Sequence, residues 1–208
     1  MKVVTAAQMK QLDQRTIEVH GVPSLVLMER AALACVDVLR EERFDLSQVV
    51  VICGPGNNGG DGLAIARLLH LAGVRVAFVL IGDADRGTRE SAQQLKIAQS
   101  YGLRASPIDS CPQPTTIVDA LLGIGGARAP QGVFKQAIAY ANSSDAKVLA
   151  VDMPSGVSAD TGEAPGLAIQ ADVTVTFAYA KVGLTVGAGI DLAGKMVVKD
   201  IGIYDLGV

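Results

Sequence analysis

Residues 49–69 read Val-Val-Val-Ile-Cys, then Gly-Pro-Gly-Asn-Asn-Gly-Gly-Asp-Gly, then a second apolar run with helical texture. A strand of five consecutive apolar residues has no polar face and must be covered on both sides. A chain that leaves such a strand through glycines and enters a helix is built for an α/β sheet. The alternation continues downstream. The pattern predicts a helix over 61–72, a strand over 74–81, a helix over 86–102, a strand over 116–121, a helix over 131–142 and a strand over 147–152. Two more strands are expected near 172–178 and 195–200. Ahead of all these, 5–20 and 23–44 read as two helices, separated by Gly21-Val22-Pro23. Met9, Leu12 and Ile17 have helical spacing behind a Thr5 cap, and Leu25, Met28, Ala32, Cys35, Val36 and Leu39 form a broad apolar stripe. The expectation is one domain over residues 1–208, an α/β fold with a mostly parallel sheet.

Composition narrows the function. Half of the residues are hydrophobic and 19% are charged, which suits a core-rich globular protein. A net charge of −3 supplies no basic footprint for nucleic acid, and the absence of Trp leaves little to stack on bases. Cys35, Cys53 and Cys111 form no C-x-x-C pair, so they read as small apolar residues in a reducing compartment. The N-terminus turns polar within a few residues and no run reaches about 18 apolar residues, so cytoplasm is expected.

In open parallel sheets, ligands sit beyond the carboxyl ends of the strands. The polar and glycine-rich segments fall at those ends: GPGNNGGDG after the first core strand, Asp119 and GIGG at the third, DMPSG after the fourth. Residues 54–59 satisfy G-x-G-x-x-G, and backbone N–H groups at the start of a helix favour phosphate. No Gly-Lys-Ser/Thr follows, which excludes a Walker loop. Asp83 stands where a dinucleotide fold places its ribose-binding acid, but hydride-transfer machinery is missing: His20 and His70 lie in helix-like segments, and Tyr179 and Lys181 are only two apart. Asp61 has the position of a helix cap or a ligand. Asp119, inside TIVDALLG, is an acid that is costly to bury without a partner, and Asp152 closes VLAVD in the same way. Asn58, Asp119 and Ser155 together would make an all-oxygen, singly acidic site, suited to a monovalent cation.

GPGNNGGDGLAIARLL, VDALLGIG, AVDMPSGVSADTG, ADVTVTFAYAKVGL and the closing VVKDIGI resemble, in order, the landmarks of the NAD(P)H-hydrate epimerases, the YjeF N-terminal-domain family. TAAQMKQLDQRTIEVHGVPSLVLMERAA resembles that family's helical lead-in, with Met28-Glu29-Arg30-Ala31-Ala32 departing from its usual M-E-N-A-G. The resemblance implies a Rossmann-like three-layer α/β/α sandwich. It implies epimerisation of the R and S forms of hydrated NADH and NADPH, with bound potassium (K+). It places substrate binding on Asn57, Asn58, Gly59, Gly60 and Asp61, on a second loop of Gly123, Ile124, Gly125, Gly126, Ala127, Arg128 and Ala129, and on Asp152. Cation ligands fall on Asn58, Asp119 and Ser155. The loop after Gly123 carries one arginine where relatives are often more basic.

The expected reaction is loss and return of water at the hydrated carbon, with proton transfer assigned to Asp152 and with Asp61 and Lys181 as alternates. Implied partners are the hydrated cofactors and an ADP- or ATP-dependent NAD(P)H-hydrate dehydratase acting in the same pathway; the apolar lead-in helices could also pack between two copies as a homodimer. Two other readings stay open: an NAD-dependent oxidoreductase, and a catalytically silent dinucleotide-binding or partner-binding module.

Overall fold

The computed structural model describes residues 2–83, 87–125 and 128–205. The lead-in holds β1 (Val3–Val4), α1 (Ala6–Glu18) and α2 (Ser24–Glu41). Thr5 caps α1 as expected, with a reciprocal bond from its own N–H to Gln8. The alternating part follows as β2 (Val49–Cys53), α3 (Asn57–Leu71), β3 (Val76–Leu80), α4 (Arg89–Ser100), β4 (Thr116–Ala120), α5 (Gly132–Ser143) and β5 (Lys147–Val151). The chain ends through β6 (Val173–Phe177), β7 (Ala180–Lys181), a short α6 (Gly189–Leu192) and β8 (Lys195–Lys199). Every predicted helix and strand is present, with ends shifted by a few residues. β1, β7 and α6 are too short to leave a periodic signal.

Six strands form one sheet in the order β3-β2-β4-β5-β6-β8, and each of its pairings is parallel. Val49, Val51, Cys53, Val118 and Leu149 face the core under α1, α2, α3 and α4. Val50, Ile52, Ile117, Val148 and Ala150 alternate to the opposite face, under Ala137, Ile138 and Ala141 of α5. This is the expected three-layer α/β/α sandwich. The chain winds outward from β2 to β3, then crosses back to β4, so the winding reverses between β2 and β4. Residues 54–58 and 121–125 leave the sheet at that crevice, where such folds bind ligands.

The glycines of this region serve packing more than ligand approach. A Cβ on Gly54 would stand 1.9 Å from the Leu121 carbonyl oxygen, one on Gly59 1.7 Å from the Gly54 carbonyl oxygen, and one on Gly62 2.5 Å from the Ala120 Cβ. Gly56 differs, with nothing within 4 Å of a Cβ placed on it. The close approach also corrects the predicted start of α3. The helix begins at Asn57 with Gly56 as its cap residue, so Asn57–Gly60 form its first turn and Asp61 caps nothing. Tertiary packing overrides the poor helix propensity of Asn-Asn-Gly-Gly.

Gly59→Ala is expected to cost about 3 kcal/mol or more, since neither backbone can retreat. Gly56→Ala should stay within about 1 kcal/mol of wild type. Urea unfolding of the two variants checks this, and equal costs would contradict the packing account.

Candidate active site

A cleft of about 620 Å³ opens at the reversal point. Its floor is the first turn of α3, the segment 121–125 and the end of β5, and its walls come from α1, α2 and residues 201–203. Apolar residues such as Leu27, Met28, Phe134, Phe177, Ile201 and Ile203 line much of it. The titratable residues among the lining are Lys10, Asp13, Asp61, Asp152 and Lys181. Volume and lining suit a small-molecule site with a few directed polar groups.

Asp152 follows β5 directly and sits at φ 68°, a left-handed conformation that Asp tolerates better than most residues. Its N–H donates to the Val175 carbonyl at 2.7 Å, which fixes the turn. Lys181 Nζ donates to Asp152 Oδ1 at 2.5 Å, to Thr176 Oγ1 at 2.8 Å and to the Phe177 carbonyl at 3.1 Å. Three acceptors take the three N–H donors of an ammonium group that is 1% exposed, so this lysine has none left for a ligand. Thr176 Oγ1 donates to the same Asp152 Oδ1 at 3.2 Å. Both side-chain bonds fall on Oδ1, and the carboxylate faces the cleft. The backbone of Lys181 is held by β1: the two short strands pair in parallel, with Val4 opposite Lys181. Lys181 thus orients Asp152 and compensates its charge.

Asp61 and Asp13 share the cleft without any hydrogen-bonding or ionic partner among the described residues. Burial pushes the Asp61 carboxyl well up, and the charges of Asp152 and Asp13 add to the effect against relief from Lys181. Asp13 is also raised, first by burial and then by Asp152. Sequence reasoning missed Asp13, although a signal existed. Met9, Asp13 and Thr16 are spaced i, i+4, i+7, which puts a carboxylate on the buried face of α1. It also missed Lys10, Thr176 and the apolar wall of Phe177, Ile201 and Ile203.

Behind the floor, Asp119 is 1% exposed and fully bonded. Its Oδ1 accepts from Ser155 Oγ at 2.6 Å and the Leu121 N–H at 3.2 Å, and its Oδ2 accepts from the Ser155 N–H at 2.8 Å. Burial still lifts its carboxyl to about 6, against the lowering effect of those bonds. Ser155 Oγ also accepts from the Leu122 N–H at 2.8 Å. Asn58 packs against Gly123, the next residue along. Both polar atoms of its side-chain amide are buried with no partner, an expensive arrangement unless a ligand completes it. The donors gathered here are an orphaned amide oxygen, a hydroxyl, one carboxylate and loop carbonyls. That set fits a monovalent cation. Among the described residues no cluster of three His, Cys, Asp or Glu side chains offers a second metal centre.

Asn57, Asn58 and Asp61 therefore line the cleft, while Gly59 and Gly60 are packed behind it against Gly54 and Met28. Gly123, Ile124 and Gly125 line it as well. Arg128 is exposed and Ala129 lies against Gly166, neither of them among the lining residues. Gly126 and Ala127 lie outside the described residues. His20 is exposed just beyond α1 and His70 is exposed in the last turn of α3, and Asp83, three residues beyond β3, is not among the lining residues. Among the described residues no helix is long and apolar enough to cross a membrane.

Known proteins resemble this chain. The family model described as YjeF-related protein N-terminus matches residues 24–183. A protein of Weissella koreensis named NAD(P)H-hydrate epimerase is 51% identical over 202 residues, covering 97% of this chain and 91% of its own. A Limosilactobacillus reuteri protein of the same name is 52% identical over 206 residues, covering 98% and 97%. One from Levilactobacillus brevis, also so named, is 46% identical over 204 residues, covering 98% and 95%. The crystal structure of yeast ynu0 has the same fold, with a TM-score of 0.79 at 22% identity over 96% of this chain and 88% of that one. The strand order, the crevice and these matches lead to one conclusion: the chain belongs to the YjeF-related N-terminal family.

Proposed function

We propose that the chain is an NAD(P)H-hydrate epimerase, an isomerase that interconverts the R and S forms of hydrated NADH and NADPH. One observation carries the reading. A carboxylate, Asp152, is oriented by a buried lysine and faces a cleft of dinucleotide-binding type at the reversal of the sheet. The name shared by relatives about half identical over nearly the whole chain supports it. A hydride-transferring oxidoreductase draws no comparable support, since neither histidine is among the residues that line the cleft.

The hydrate carries its hydroxyl on the carbon beside the ring nitrogen. The nitrogen lone pair expels that hydroxyl as a proton reaches it, leaving a planar iminium, and water returns to the ring. Asp152 moves the proton, a role worth about 10²–10⁴-fold. The free N–H groups in the first turn of α3, around Asn57 and Asn58, receive pyrophosphate oxygens. Gly123, Ile124 and Gly125 form the facing lip. The apolar wall excludes bulk water from the iminium. Asn58, Asp119 and Ser155 would hold potassium. The ion, when bound, supplies positive charge that orders these loops and anchors phosphate.

The three unpaired cysteines suit a cytoplasmic enzyme. A dehydratase that consumes the hydrates is the natural neighbour in the pathway. The exposed Val26 and Leu33 on α2 offer a face for a homodimer.

Asp152→Asn keeps the residue's size and its tolerance of a positive φ. It should slow epimerisation by about 10²–10⁴-fold while leaving NADPH binding within a few-fold. Chromatography of the separated epimers, with titration calorimetry for binding, reads both quantities, and full activity would remove Asp152 from the mechanism. Potassium chloride, compared with choline chloride at equal ionic strength, should raise the melting temperature of the wild type. Asn58→Ala breaks no internal hydrogen bond, so its own stability should change little while the potassium-dependent rise disappears. An undiminished rise would place the cation elsewhere.

A further inference from the structure

Water that leaves one face of a flat ring and returns to the other needs a proton donor on the first face and an acceptor on the second. One carboxylate fixed in place reaches one face. Asp152 is fixed in this way, anchored by Lys181 and Thr176 at the end of β5. Asp152, Asp61 and Lys181 all rise from the floor or its edge. α1 lies outside the six-stranded sheet and lines the cleft with Met9, Lys10 and Asp13, its start tied beside Lys181 by the β1–β7 pair. The lining of α2 and of residues 201–203 is free of titratable groups, so the α1 wall contributes only Asp13 and the exposed Lys10.

Resting on the epimerase reading, we propose that Asp13 is the second proton-transfer group of the reaction, serving the ring face opposite to the one served by Asp152. Asp13 has no structural task to explain its place. It sits mid-helix, Thr5 provides the cap, and the carboxylate has no hydrogen bond or ion pair among the described residues. Burial first, and then the charge of Asp152, favours its protonated form.

The step balances. Starting from one epimer, protonated Asp13 gives its proton to the hydroxyl, the C–O bond breaks, water departs, and the ring nitrogen supplies the electron pair of the iminium. A second water attacks the other face, a C–O bond forms, and carboxylate Asp152 takes the released proton. The opposite epimer uses the two groups in the reverse order. The proton returns between turnovers through solvent in the cleft.

The test starts from each purified epimer of hydrated NADPH in ¹⁸O-water, with epimers resolved by chromatography and label read by mass spectrometry. Wild type should invert both epimers faster than buffer. Asp13→Asn should invert at least about 100-fold more slowly. It should still exchange label into one epimer without inversion, because Asp152 can remove and return water on its own face. Asp152→Asn should exchange label into the other epimer. Asp13→Glu should restore part of the inversion. Removing a carboxyl whose proton affinity is raised in the fold leaves stability at pH 7–8 unchanged or higher, so Asp13→Asn should melt no lower than wild type. Wild-type inversion by Asp13→Asn, or loss of exchange in both epimers, or a lowered melting point alongside lost activity, would overturn the inference and leave the epimerase intact. Wild type no faster than buffer would overturn the epimerase reading itself, and this inference with it.

Discussion

The close approach of α3 to the strands beneath it governs the rest of this structure. Gly59 and Gly62 remove the side chains that would hold the helix away from Gly54 and from the β2 and β4 side chains, and Gly54 lets the Leu121 carbonyl come in beside it. The first turn of α3 is thereby driven into the crevice between β2 and β4. Its free N–H groups, the Asn58 amide and Asp61 all face the place where the winding of the sheet reverses. Even a methyl group at Gly59 would displace that turn, and with it the Asn58 amide and the free N–H groups that face the crevice.

Charge is distributed on this frame with equal economy. The buried Lys181 gives all three donors to acceptors at the end of β5 and β6, so it acts by holding Asp152. Asp119 is bonded into the loop that carries Ser155, behind the floor of the cleft. Asp13 and Asp61 face the cleft without partners. Burial, with the charge of Asp152 adding to it, pushes both of their carboxyls above the usual range.

The sheet was legible because its strands are short, apolar and separated by helices of ordinary length. The glycine-rich turn, Asp119 and DMPSG were legible because they fall at strand ends, where polar residues have little structural reason to gather. The start of α3 was misplaced because Asn-Asn-Gly-Gly has loop chemistry, and only the packing of Gly59 on Gly54 makes it helical. Lys181 was noticed but its role was hidden, since its acceptors come from β6 and the β5 turn and meet only in three dimensions. Ile201 and Ile203 read as ordinary core residues until the fold brings them to the cleft. The two-residue pairing of β1 with β7 spans nearly the full length of the chain and leaves no local trace.

The most direct measurement of the central claim follows the wild-type chain acting on a single purified epimer of hydrated NADPH, without ATP or ADP. The account predicts that the R and S forms reach equilibrium faster than in buffer, with no conversion of hydrate to NADPH at 340 nm. An unchanged epimer ratio, with the nucleotide still bound in the cleft, would contradict it and identify a binding module in place of an enzyme.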